Sequence, residues 1–216
     1  MGRNPFGDAA EIGDWRSGQR VRAVEMEDQL ALVVEGVVQS VAVRGPDIGR
    51  GYWPALLPES RPSSALILGL GGGTIAQLLV RRFGPLPMVG VDDDPEVLAL
   101  ARQSFGLGEV PGLRVVVDDA FDFVANCAER FDYVCVDLFR AGQVPRQVTS
   151  TPFLRQTRRL LLSEGLAVFN LARDGRARER IHRLSRVFLV EREVLTGLNV
   201  VVHCRAPAKP TRVIFD

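Results

Sequence analysis

The chain has 216 residues and a mass of 23.7 kDa, with 46% hydrophobic and 25% charged side chains. That suits one substantial domain with a small appendage and excludes a largely disordered chain. Its 27 basic and 26 acidic side chains leave a net charge of +1, so no global field draws it to nucleic acid or to an anionic membrane. Only one basic residue is lysine (Lys209), an arginine excess that reads first as a coding bias.

Residues 1–18 are polar and Gly-rich and read as a flexible tail, without the apolar core of a signal peptide. No apolar run approaches the ~20 residues of a membrane span. A cytoplasmic protein with neither nucleic-acid nor membrane partners is therefore expected. Residues 19–62 read as a small β-hairpin segment and connector. VRAVEME, QLALVVEG and VVQSVAV are β-rich runs broken at Glu27-Asp28 and Gly36, and YWPALL is a short helix within the Gly- and Pro-rich stretch from Gly45 to Pro62.

From residue 63 to 216 strands and helices alternate. SALILGL is followed by the helical TIAQLLVRRFG, and PMVGVDD by PEVLALARQSFG, which Asp94 caps with Pro95 at its first position. LRVVVDD precedes FDFVANCAERF. FDYVCVDLF leads through a longer loop to a helix over TPFLRQTRRLLLSEG. LAVFNLA precedes RARERIHRLSRVF, and LVEREVL with NVVVHCRA forms a closing hairpin. Apolar strands alternating with helices predict an α/β fold, a doubly wound and mostly parallel Rossmann-like sheet, with its ligand at the carboxyl ends of the strands.

Those ends carry the candidate chemistry. Gly69-Leu70-Gly71-Gly72-Gly73-Thr74 lies between a strand and a helix start, where backbone can approach a ligand closely. A dinucleotide G-x-G-x-x-G would need glycine at position 74, and threonine stands there. Asp92, about twenty residues on, suits the hydroxyls of a ribose. Asp93 adjoins it on the opposite side of the strand. Asp118-Asp119-Ala120 ends the third strand, where a carboxylate can accept from an exocyclic amine; Phe121 and Phe123 offer either a flat apolar surface or core packing. Asp137 ends the fourth strand, placed to act as a base or to hold a cation. The four ends together suggest an adenosine-containing ligand. Cys127, Cys135 and Cys204 are too few for a disulfide framework, and with His182 and His203 far apart no metal is expected.

LILGLGGGT, VGVDDDPEVLALA, VVVDDAFDFV and FDYVCVDLF…VP…TPFL…LLLSEGLAVFNL resemble the spermidine synthase (polyamine aminopropyltransferase) family, within the class I S-adenosylmethionine-dependent methyltransferase fold of seven strands. LALVVEGVVQS resembles the family's N-terminal β-hairpin. The resemblance implies a transferase whose co-substrate is S-adenosylmethionine or its decarboxylated form. Gly69, Gly71, Gly72, Gly73 and Thr74 would lie along its tail, Asp92 and Asp93 near the ribose, Asp119 and Ala120 at the adenine, and Gln39 would reach over from the hairpin. Asp137 would receive a proton from the attacking amine of a small-molecule acceptor. Tyr52 and Arg140 are weaker acceptor-side candidates. The family's hairpin, which mediates a dimer contact, leaves two readings for the sheet edge in VVEGVVQSVAV: pairing in a homodimer, or packing on its own domain.

There are departures from the family pattern. Thr74 or a neighbour replaces an aspartate of the glycine loop, Arg140 replaces a second acid three residues after Asp137, and Gly51-Tyr52-Trp53 stands where a tyrosine–histidine–glutamate signature is expected. Three readings follow: aminopropyl transfer to an amine, methyl transfer to an unknown small molecule, and a non-catalytic nucleoside-binding module.

Overall fold

Val21–Met26 (β1), Gln29–Val34 (β2) and Val37–Val41 (β3) form an antiparallel three-stranded sheet in sequential order, in a computed structural model that describes residues 20–26, 29–44, 51–140 and 142–206. The expected tail, the Glu27-Asp28 break and the first part of the connector lie outside these residues. A one-turn helix, Trp53–Leu56 (α1), leads into the main domain.

There Ala65–Leu68 (β4), Thr74–Phe83 (α2), Met88–Asp92 (β5), Pro95–Ser104 (α3), Leu113–Val117 (β6), Ala120–Asn126 (α4), Phe131–Val136 (β7), Thr151–Arg159 (α5), Leu161–Ala172 (β8) and Ala177–Ser185 (α6) alternate before the closing hairpin of Leu189–Thr196 (β9) and Asn199–Arg205 (β10). The seven strands lie in the order β6-β5-β4-β7-β8-β10-β9. β4 to β8 are parallel, and β10 runs antiparallel to both its neighbours. The order reverses between β4 and β7, which opens a crevice at their carboxyl ends. This is the doubly wound, mostly parallel seven-stranded sheet expected from the sequence.

Local signals explain the element ends. Asp94 accepts from the N–H groups of Glu96 and Val97 and starts α3 with Pro95 behind it; Ser150 accepts from the Phe153 N–H and starts α5. Both sheet faces are covered. Leu66, Leu68, Val134 and Val136 pack under Val124, Phe153, Leu154, Ile181 and Leu184 of α4, α5 and α6. Ile67, Tyr133 and Cys135 pack under Trp53, Leu56, Ile75, Leu79 and Leu98 of α1, α2 and α3. Ala31, Val33 and Val41 join this second layer, so the small sheet shares its core with the main domain.

One element differs from expectation. The helix read through Gly165 stops at Arg159, and Leu161 already pairs with Phe131 of β7. Leu160 and Leu161 are both buried, Glu164 takes a positive φ of 60°, and the register shifts before Tyr133 meets Leu166. A left-handed residue is costly inside a helix, and the chain instead ends α5 with Leu160 as its C-cap and opens β8 at Leu161. Two short 3-10 segments, Leu107–Glu109 and Arg146–Thr149, were not anticipated.

The small sheet is fastened to the start of α2. The buried Thr74 hydroxyl donates to the Val41 carbonyl at 2.7 Å and accepts from the Val41 N–H at 3.0 Å, while Gln77 accepts from the Val43 N–H. Of the two readings of this hairpin, packing on its own domain is the one these contacts show, and they partly occupy the outer edge of β3. Thr74→Val keeps the shape and strands both Val41 groups, so it should destabilise the protein by about 2–4 kcal/mol. Chemical denaturation checks this; a loss below ~0.5 kcal/mol would show that the two bonds are replaced by water.

No helix among the described residues is long and apolar enough to cross a membrane.

Candidate active site

The turn after β4 is closed by its own chain. Gly69, Gly71 and Gly73 have φ of 84°, 52° and 82°, values open to glycine at little cost. Every amide N–H from Gly69 to Gly73 donates inside the protein: Gly69 and Leu70 to the Val91 carbonyl, Gly71 to Asp92 at 2.7 Å, Gly72 to the Ser40 hydroxyl at 2.8 Å, and Gly73 to the Leu70 carbonyl. A ligand tail along this turn meets close-packed backbone whose donors are already paired.

Asp92 sits at the end of β5, half-buried, with one oxygen toward Gly71 and the other accepting from the Asp94 N–H at 3.1 Å. Burial raises its pKa, against the lowering effect of these two backbone donors. Asp93 points away, to an exposed ion pair with Arg140 at 2.9 Å. Asp119 caps α4, one oxygen accepting from Phe121 and Asp122, while the other lies 3.9 Å from Arg140. Arg140, expected beside the acceptor, therefore reaches from the loop after β7 across to the ends of β5 and β6.

Ala120 is the first residue of α4 and its side chain is buried in the core. Phe121 and Phe123, each partly exposed, pack against that core as well, Phe121 edge-on to Phe153. Thr74, expected along the ligand's tail, is 2% exposed and committed to Val41. Gln39 stands on β3 beside Ser40, half-buried, with its backbone near Gly71; its side chain makes no hydrogen bond among the described residues.

Asp137 follows β7, on the other side of the glycine turn. Its backbone N–H donates to the Leu68 carbonyl. Its own carbonyl would lie 2.2 Å from a Cβ at Gly69, so the two strand ends touch through backbone alone. Its carboxylate is held at both oxygens: Asn170 donates to Oδ1 at 2.7 Å and the Tyr52 hydroxyl to Oδ2 at 3.1 Å. Burial pushes its pKa up to about 6, and the two donors hold it from rising further. Tyr52 and Tyr133 are pushed upward by burial, as is the Cys135 thiol, so the neighbours of Asp137 stay neutral. A half-buried carboxylate with a pKa raised to about 6, at a strand end beside a crevice, can take a proton from an amine.

Tyr52 is carried by α1, and α1 is anchored from behind. Tyr133 donates to the Leu56 carbonyl at 2.7 Å, and the His203 ring lies 2.8 Å from the Ala55 carbonyl. Burial lowers the His203 pKa, so it serves as a neutral buried bond to α1. No group of three or more metal-ligating side chains occurs among the described residues.

Three participants escaped the sequence reading. Ser40 was hidden beside Gln39. Asn170 is a lone amide inside the apolar run LAVFNLA, which is itself a signal for a buried polar contact. Asn199 donates to Asn170 at 2.8 Å and had no signal beyond its turn-like surroundings. The structure brings the glycine turn, Asp92, Asp119, Asp137 and Tyr52 to one edge; it turns Thr74 and Ala120 away from it.

Residues 54–173 match the family model described as the spermine/spermidine synthase domain. A polyamine aminopropyltransferase of Chromobacterium violaceum is 30% identical over 206 residues, covering 85% of this chain and 79% of that protein. One of Vibrio vulnificus is 29% identical over 143 residues, 62% of this chain and 48% of that protein, so the chain spans about half of this longer relative. Among solved structures, human methyltransferase-like protein 13 in complex with SAH superposes with a TM-score of 0.59 at 26% identity, covering 70% of this chain and 74% of that one.

Proposed function

The chain belongs to the spermine/spermidine synthase family, and on that premise we propose that it transfers an aminopropyl group from decarboxylated S-adenosylmethionine to an amine acceptor. The observation that carries the proposal is Asp137: a carboxylate with a pKa near 6, one protein donor on each oxygen, set against the glycine turn.

Asp92 accepts from the ribose hydroxyls and the outward oxygen of Asp119 from the adenine amine. The sulfonium tail lies along Gly69 to Gly73, which brings the carbon beside the sulfur next to Asp137. The acceptor amine gives a proton to Asp137 and its lone pair attacks that carbon. The C–N bond forms as the C–S bond breaks, and the sulfur leaves as a neutral thioether nucleoside. Holding both partners in line supplies much of the rate, and the base supplies the rest.

The choice of the decarboxylated form rests on the glycine turn. An intact amino-acid tail ends in a carboxylate, which needs donors, and the five amides of the turn are already paired. An aminopropyl tail ends in a cation, which is served by carbonyls and carboxylates. Methyl transfer is the second reading, favoured by the 26% identity to a methyltransferase-like protein bound to SAH.

Calorimetric titration with each form of the co-substrate, followed by chromatography of the nucleoside product, separates the two. Tight binding of the decarboxylated form with release of methylthioadenosine supports the proposal. Preference for the intact form with release of S-adenosylhomocysteine overturns it. In the same titration Asp92→Ala should weaken nucleoside binding by about 100-fold, since two buried ribose hydroxyls lose a charged acceptor. Unchanged affinity would remove Asp92 from the site.

A further inference from the structure

The amide of Asn170 has no solvent exposure, and its two ends are used in a fixed sense. Its oxygen accepts from Asn199 at 2.8 Å and its nitrogen donates to Asp137 at 2.7 Å. An amide turned the other way would present oxygen to a carboxylate, acceptor against acceptor, so something must hold it. Asn199, at the first position of β10 and half-buried, has the donor that does so. We propose that Asn199 and Asn170 are positioning residues that form a one-way hydrogen-bond relay fixing the orientation of Asp137.

The relay meets Oδ1 and the Tyr52 hydroxyl meets Oδ2, so each carboxylate oxygen has its own donor. With one protein donor each, both oxygens keep acceptor capacity for an amine. The titratable groups around Asp137 are Tyr52, Tyr133 and Cys135, all shifted toward their neutral forms, and the nearest arginine in sequence, Arg140, is bound to Asp93. The relay and the Tyr52 hydroxyl are therefore the two hydrogen bonds that tune Asp137. Asn199 lies beyond the residues that match the family model, on a strand that β8 separates from β7 in the sheet.

The functional meaning of the relay rests on Asp137 as proton acceptor, but its existence is tested without substrate. The carboxyl carbon of Asp137, labelled with 13C and assigned by its absence in Asp137→Asn, is titrated in the ligand-free protein. Asn170→Ala removes the donor and should move the midpoint up by about one pH unit. Asn199→Leu leaves the donor but releases its orientation, and should move the midpoint up by about half a unit in a folded protein. Asn199→Gln retains an amide donor and should restore the original midpoint.

The acid limb of the transfer rate should move with the midpoint in each variant. If Asn199→Leu folds and the midpoint does not move, Asn199 is a packing residue and the relay is wrong; the same result in Asn170→Ala would remove Asn170 too. A midpoint that moves while the acid limb stays in place would leave the relay standing and overturn Asp137 as the base.

Discussion

Asp137→Asn is expected to lower turnover by about a thousand-fold while nucleoside affinity stays within a few-fold of the original, because a positioned base contributes about 10²–10⁴ in rate and little to binding. Asparagine keeps the shape of the side chain and removes its capacity to take the proton. The original protein should show the matching pH profile. Only ionised Asp137 can accept a proton, so the rate should fall about tenfold per unit below the pKa near 6.

The same pKa predicts a stability effect with a definite sign. The carboxyl titrates near 6 in the folded chain and near 3.9 when unfolded, so the folded state binds the extra proton. Its contribution is fully present below about pH 4 and is lost as pH rises through about 6. Asp137→Asn should therefore gain melting temperature relative to the original between pH 4 and pH 7. An active variant, or a melting difference independent of pH, would end the case for a buried base at this position.

Gly69→Ala is expected to cost about 3–5 kcal/mol, the sum of a left-handed non-glycine residue and a clash that backbone cannot relieve by changing rotamer. The added Cβ would stand 2.2 Å from the Asp137 carbonyl oxygen at a φ of +84°. Gly36→Ala is the control: its φ is +79° and nothing lies within 4 Å, so only the conformational cost of about 1–2 kcal/mol should appear. The chain that folds despite Gly69→Ala must move β4 and β7 apart at the crevice, so Asp137 shifts and turnover falls beyond the loss of stability. Equal unfolding free energies for the two variants would show that the strand ends are not in contact.

The alternation of apolar strands with capped helices made the sheet and its crevice legible, because Asp94, Pro95 and the glycine turn act locally. The same locality explains the misjudged end of α5, where burial of Leu160 and Leu161 in the sheet overrides the helical pattern. At the crevice, strand ends announce themselves by glycine and aspartate after apolar runs, which marked Asp92, Asp119 and Asp137. What pairs with them depends on long-range geometry. Thr74 reads as a loop hydroxyl until β3 is laid against it, and Arg140 reads as an acceptor-side charge until its reach to Asp93 is seen. Asn199 meets Asn170 across 29 residues, and no spacing rule connects them.

The anchoring of α1 by His203 bears on when the protein becomes competent. Ala55 and His203 are 148 positions apart. With translation at roughly 5–20 residues per second, the segment bearing Tyr52 waits about 7–30 s for its last tether to leave the ribosome. The crevice between β4 and β7 can form earlier from neighbouring units. One of the two donors that hold the Asp137 carboxylate is thus steadied last, after the crevice beside it has formed.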